Sequence, residues 1–217
     1  MCNCYMQSDC KKYATGSCNE LECGIGLLIT EAYRNTNIPK RYRKNIPLVP
    51  REDLQSFLTL KDYQDNVIER VTQGEGLYIY SSECGNGKTT WATKIARQYI
   101  VESAYLQKHV NLVYFTTVSD YLEELKQSFG TNTTAEVESK LKKCDLLILD
   151  DIGVEKTSEW TIERLYSLIN YRINEEKATI ITSNLDLNEL AEKLDKRIAS
   201  RIKGVSTLVQ FLEADKR

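Results

Sequence analysis

Residues 77–89 read Leu77-Tyr78-Ile79-Tyr80-Ser81-Ser82-Glu83-Cys84-Gly85-Asn86-Gly87-Lys88-Thr89, a short β-prone run that passes through a glycine-rich loop into a helical pattern. From Ser82 onward the string fits G-x-x-x-x-G-K-[ST] except at its first position, where serine replaces glycine. Strand before and helix after are the setting in which such a loop holds phosphate. Gly85 and Gly87 let the backbone turn its N–H groups onto β- and γ-phosphate oxygens, at a helix N-terminus that already favours negative charge. Lys88 adds a cation, and the Thr89 hydroxyl is a ligand for magnesium. The segment Ser82, Glu83, Cys84, Gly85, Asn86, Gly87, Lys88, Thr89 and Thr90 is therefore the candidate nucleotide-binding loop. A small serine in the first glycine's place is expected to be tolerated.

Outward from the loop, strands and helices alternate. Strands are expected at Leu77–Ser81, Asn111–Val118, Asp145–Asp151, Ala178–Asn184 and Thr207–Leu212. Helices are expected near Leu60–Thr72, at Lys88–Ser103, Ser119–Phe129, Thr134–Lys143 and Ser158–Glu176, with two short ones before the last strand. Such alternation predicts a parallel sheet covered on both faces, and the apolar run Leu146-Leu147-Ile148-Leu149 suits a central buried strand. That run ends in Asp150-Asp151, and ligands of such sheets gather at the carboxyl ends of the strands. Asp150 is placed to hold magnesium, usually through water, and Asp151 to polarise an attacking water. A further strand ends Thr182-Ser183-Asn184, which sets the Asn184 amide beside the acidic pair, where it can orient water or contact the γ-phosphate. The phosphate loop and the acidic pair each demand the other's setting, and together they predict binding of ATP or GTP with magnesium.

Composition narrows the class. The 217 residues are 41% hydrophobic and 28% charged, enough for one core with an appendage, and the net charge of -2 excludes a globally basic nucleic-acid coat. No apolar run approaches the ~20 residues of a membrane helix and no signal peptide is legible, so a soluble, cytoplasmic protein is expected. Five of the seven cysteines, Cys2, Cys4, Cys10, Cys18 and Cys23, crowd the front of the chain. The only histidine is His109, so a zinc site here would be all-thiolate, with Cys4, Cys10, Cys18 and Cys23 as the candidate ligands. Iron–sulfur clusters use the same ligand type, the spacing contains no C-x-x-C pair, and unpaired thiols of a reducing compartment are the alternative. The three prolines, Pro39, Pro47 and Pro50, mark a boundary, and Ile38-Pro39-Lys40-Arg41-Tyr42-Arg43-Lys44 within it gathers four cations around Tyr42. That segment is either a phosphate contact with Tyr42 stacking on a base or a solvated linker. The division expected is a Cys-rich head at 1–37, a basic linker at 38–50 and a catalytic domain at 51–217.

Beyond these readings, the wording resembles AAA+ ATPases: LLILDDIGVEKTSEW (146–160), INYR (169–172), TIITSNL (179–185) and RIASRI (197–202), with IPKRYR (38–43) ahead of the core. Within that group it looks like the bacterial and phage replicative-helicase loaders of the DnaC/DnaI type, over about Ile38 to Arg217. The resemblance implies a three-layer α/β P-loop fold around a five-stranded parallel sheet, without the C-terminal helical lid of many AAA+ proteins. It casts Asn184 as sensor 1, Arg201 as an arginine finger with Arg197 nearby, and Arg217 as the sensor 2 arginine. It implies slow ATP hydrolysis stimulated by assembly or DNA, a head that grips the replicative helicase, delivery of that helicase to single-stranded DNA, and self-association. Ser82 for glycine, and Asp151 where many AAA+ enzymes carry glutamate, depart from the wider pattern. IstB-like transposition helper ATPases share the core motifs, and an ATP-gated helicase-binding module with little hydrolysis would look the same.

Overall fold

The structure, a computed structural model, describes residues 15–16, 23–43, 53–106, 113–129 and 134–212. Within them lie nine helices and five strands. The helices are α1 (Gly24–Arg34), α2 (Leu54–Asp65), α3 (Val67–Thr72), α4 (Lys88–Tyr105), α5 (Val118–Gln127), α6 (Thr134–Lys143), α7 (Glu159–Asn174), α8 (Leu187–Lys193) and α9 (Lys196–Val205). The strands are β1 (Gly76–Tyr80), β2 (Val113–Thr117), β3 (Leu146–Ile152), β4 (Ala178–Ser183) and β5 (Ser206–Gln210). All pairings are parallel, in the order β2-β3-β4-β1-β5. β4 therefore stands between the strand that feeds the phosphate loop and the strand that carries the acidic pair.

Strand alternation sorts the core into two layers. On one face Leu77, Ile79, Phe115, Leu146, Ile148 and Ile180 meet the buried sides of α1 to α4. On the other, Tyr78, Leu147, Leu149 and Ile181 meet α5 to α9. β3 is buried along nearly its whole length because helices cover both of its faces, as its unbroken apolar run requires. Local chemistry starts the helices. Thr117 caps α5, Ser158 caps α7, and Asp186 with Glu189 closes a reciprocal capping box on α8.

Two stretches differ from expectation. The single helix expected near Leu60–Thr72 begins at Leu54 and breaks at Asn66, whose side-chain amide donates to the Asp62 carbonyl at 3.0 Å and competes with the helical ladder. At the front, α1 buries Ile29 and Tyr33, and Ile38 follows them into the layer formed with α4. The strand edge takes part too, since the Phe115 N–H donates to the Thr36 carbonyl at 2.7 Å. Arg97 of α4 donates to the Arg43 carbonyl at 3.3 Å and Arg43 donates to the Ile38 carbonyl at 2.7 Å, which fastens the short 3₁₀ turn Lys40–Tyr42 against the core. Residues 24–43, counted on composition with the head and the linker, thus share the core that one face of the sheet forms. No described helix is long and apolar enough to cross a membrane.

Candidate nucleotide site

The phosphate loop is fastened by its own polar groups. Ser81 Oγ accepts from the Glu83 N–H at 3.2 Å and from the Asn86 side-chain amide at 2.7 Å. Gly85 (φ 74°) and Gly87 (φ 100°) both take left-handed backbone, which a side chain would strain. Ser82 is absent from the described non-glycine residues with positive φ, Asn37, Asp151 and Glu176, which is why serine is accommodated where the motif has glycine. Lys88 opens α4 and is buried; its ammonium donates to the Glu83 carbonyl at 2.7 Å, and Ser81 O and Asn86 Oδ1 lie at 3.4 Å. Burial pushes that ammonium below the ordinary lysine value, against the pull of nearby Cys84 and the two aspartates. Asn86 is buried and braces the loop, whereas Glu83 and Cys84 are exposed.

The acidic pair sits where β3 leaves register with β4. Leu149 faces Ile181 and Ile152 faces Ser183, so Asp150 and Asp151 together oppose Thr182, two residues against one. Asp151 takes a left-handed conformation (φ 58°), which aspartate and asparagine accept more readily than other side chains. Thr182 pins both ends of this bulge: its hydroxyl donates to Asp150 Oδ1 at 2.6 Å and accepts from the Asp151 N–H at 2.9 Å. The Thr89 hydroxyl donates to the same carboxylate at 2.9 Å, so the end of the phosphate loop and the end of β3 meet directly. Burial raises the Asp150 carboxyl to about 6, helped by the charge of Asp151 and opposed by the hydroxyls of Thr182 and Thr89 and by the Arg41 charge.

Ser81 and Thr182 brace the loop and the acidic pair through their hydroxyls, and motif reading missed them. The hydroxyl of Thr182, directly after the aliphatic pair Ile180-Ile181 in a strand expected to be buried, was the available signal, because a fully buried hydroxyl needs a partner. Asn184 lies one residue past β4, half-buried, at the edge where Ser183 is flanked by Tyr80 and Ile152. Thr90 lies within the first turn of α4. Arg201 sits on α9; its guanidinium donates to the Tyr166 hydroxyl of α7 at 2.8 Å and rests 5.0 Å from that ring. Arg197 lies 5.0 Å from the same ring and forks Asp195 at 3.0 Å. Among the described residues, the polar partners of these arginines are Asp195 and Tyr166, on and beside α7 and α9. Arg217, Cys4, Cys10 and Cys18 lie outside the described residues. Cys23 caps α1, its sulfur accepting from the Gly26 N–H at 3.4 Å, and no cluster of metal-ligating side chains is present among the described residues, so zinc gains no support.

Known proteins are similar to this chain. The replicative helicase loader DnaI of Bacillus subtilis (strain 168) is 31% identical over 132 residues, 60% of this chain, which spans only 38% of DnaI's length. The phage-like element PBSX protein XkdC of the same organism is 25% identical over 210 residues, covering 93% of this chain and 70% of XkdC. Among solved structures, the crystal structure of the DnaC helicase loader superimposes with a TM-score of 0.64 at 26% identity, over 80% of this chain and 99% of that one. A family model, the bacterial DnaA ATPase domain, matches residues 65–208, a span that holds the phosphate loop, the acidic pair and Asn184. Carrying that family's sheet and nucleotide loop over well more than half its length, the chain belongs to the bacterial DnaA ATPase-domain family of AAA+ proteins and is homologous to the DnaC and DnaI helicase loaders.

Proposed function

We propose that this chain binds and hydrolyses ATP and acts as a replicative-helicase loader that delivers helicase to single-stranded DNA. The observation that carries the ATPase reading is the hydrogen bond of 2.9 Å from Thr89 to Asp150, made beside a buried lysine and two left-handed loop glycines. Thr89 and Asp150 offer only hard oxygen donors, the set magnesium prefers. Magnesium bound there would neutralise charge on the β- and γ-phosphates. Lys88, carried by carbonyls of Ser81 and Glu83, would turn to those phosphates, and the Gly85–Gly87 backbone would supply N–H donors. Asp151, on the bulge, would accept hydrogen bonds from the attacking water and orient it, with Asn184 across the same edge. The helicase-loading part rests on homology to DnaC and DnaI.

The deciding experiment is co-purification with a replicative helicase, with and without ATP-Mg, together with ATP turnover in the presence of single-stranded DNA. Nucleotide-dependent complex formation with stimulated turnover is expected. A stable complex with negligible turnover would leave an ATP-gated binding module, and no complex would leave the loader reading without support. The proposed helicase grip of the head is best tested by deleting residues 1–22, because Ile29 and Tyr33 belong to the core and a cut at 37 would unseat them. That shorter deletion should keep ATP binding and lose the helicase complex.

Asp151→Asn should retain ATP and the fold, since asparagine also tolerates left-handed backbone, while hydrolysis falls about a hundredfold. Equal loss of ATP affinity would move Asp151 into the group that holds magnesium. For Arg201 a role across a subunit boundary is proposed, with its guanidinium stabilising charge on a neighbour's γ-phosphate. Arg201→Ala should leave ATP binding by the monomer unchanged and depress turnover only in the assembled state. Mixing it with Lys88→Ala chains should restore part of the activity; no recovery, with weakened monomer binding, would make Arg201 a structural residue through Tyr166.

A further inference from the structure

At the far end of the sheet from the phosphate loop, a cavity of about 620 Å³ opens between the C-terminal end of α1 and one face of α6. Val113, the first residue of β2, lines it, whereas Asp150 pairs with Thr117 at the other end of that strand. Its walls bring three cations together: Arg34 from α1, and Lys140 and Lys143 from α6. All three are exposed, and the neighbouring ion pairs Lys142–Glu138 and Lys177–Asp145 leave them out. The one lining carboxylate is Glu136. Asn35, Asn37 and Ser139 add amide and hydroxyl donors, so the lining offers far more donors than charged acceptors.

We propose that this cleft is a binding site for the phosphodiester backbone of single-stranded nucleic acid. Lys140 and Lys143, three residues apart, leave one face of α6 with their Cβ atoms about 5–6 Å apart, and Arg34 lines the other wall. Cations on two walls suit a chain of successive phosphates, and the volume exceeds what one inorganic anion needs. An added peptide strand is disfavoured, because the backbone edge of β2 is already engaged where the Phe115 N–H donates to the Thr36 carbonyl at 2.7 Å. Arg and Lys reading phosphates through charge and hydrogen bonds require neither a free strand edge nor apolar anchors. The proposal deepens the loader reading, on which it rests for the presence of a DNA strand. Its residues are remote from the nucleotide loop, so the two can fail separately.

The test is fluorescence anisotropy of the full chain with an oligo(dT) of about fifteen nucleotides, across roughly 50–200 mM salt. Changing Arg34, Lys140 and Lys143 together to glutamate should weaken binding at least tenfold at about 100 mM salt and reduce the log–log salt slope by about 2, near 0.7 for each lost phosphate contact. Glu136→Gln should strengthen binding, and ATP-Mg affinity should be unchanged in both variants. An unaltered oligo(dT) affinity and slope in the triple variant would overturn the proposal. Thymidine monophosphate displacing the oligomer at equal phosphate concentration would also overturn it, in favour of an isolated-phosphate site. So would a triple variant that keeps DNA binding but loses an acidic protein partner. Loss of ATP binding by wild type alongside intact DNA binding would instead count against the ATPase reading.

Discussion

Lys88→Ala is expected to weaken ATP-Mg binding by at least a hundredfold and to abolish turnover. The side chain is 6% exposed, and its ammonium rests on the Glu83 carbonyl at 2.7 Å, inside a loop already shaped by left-handed glycines. A cation in that position gains more from phosphate than from carbonyls, because burial has stripped it of water and lowers its affinity for the proton. Charge-assisted hydrogen bonds contribute about 1.5–3 kcal/mol each, and two phosphate groups share this lysine, so a loss near 3 kcal/mol or more corresponds to the factor given. Folding should suffer little, since alanine removes a buried charge along with its hydrogen bonds. Isothermal titration with a non-hydrolysable ATP analogue measures the effect directly. A variant binding within about threefold of wild type, with normal turnover, would show that the loop does not hold phosphate.

What the sequence disclosed follows from how each feature is encoded. The loop and the acidic pair were legible because phosphate chemistry demands particular residue types at fixed spacing, next to a strand and a helix that patterning also reveals. β3 was legible because an unbroken Leu146–Leu149 run has few other uses. The supports around these groups were not. Thr182 acts through a single hydroxyl whose partner lies on another strand, and its value depends on the β3 bulge, which no local pattern announces. α1 carried a visible signal, Ile25, Leu28, Ile29, Ala32 and Tyr33 at helical spacing, but the preceding cysteines and following prolines drew the reading toward a separate head. Proline marks where regular structure stops, and says nothing about whether the chain beyond it docks. Ile38, next to Pro39, is 1% exposed. The arginines remain hardest, because within their own chain Arg201 meets Tyr166 and Arg197 meets Asp195, contacts that carry no sign of a nucleotide.

Asp150→Asn should abolish magnesium-dependent hydrolysis and, without nucleotide, make the protein more stable at neutral pH. The carboxyl is 5% exposed and its folded value rises from 3.8 to about 6, so the folded chain binds the proton more tightly than the unfolded chain. The sign follows: between about pH 4 and 6 stability falls as pH rises, and above 6 the full cost of burying the carboxylate is carried, about 3 kcal/mol at most. Asparagine keeps an oxygen for the hydroxyls of Thr182 and Thr89 and carries no charge, so it escapes this cost. Its melting temperature at pH 7.5 should exceed that of wild type by several degrees, and the difference should close as pH approaches 4. Adding ATP-Mg should reverse the order, because only wild type gains the stabilisation that comes from binding. Proton and metal compete for the same oxygens, so wild-type magnesium affinity should also drop as pH falls through about 6. Melting curves of both proteins from pH 4 to 8, with and without ATP-Mg, separate the two claims. A variant less stable than wild type at pH 7.5 without nucleotide would mean that burial does not strain this carboxylate, and one that hydrolyses ATP at the wild-type rate would remove Asp150 from the magnesium site. The combination expected, greater stability with lost turnover, would mark Asp150 as a group whose placement costs the fold something that only its ligand returns.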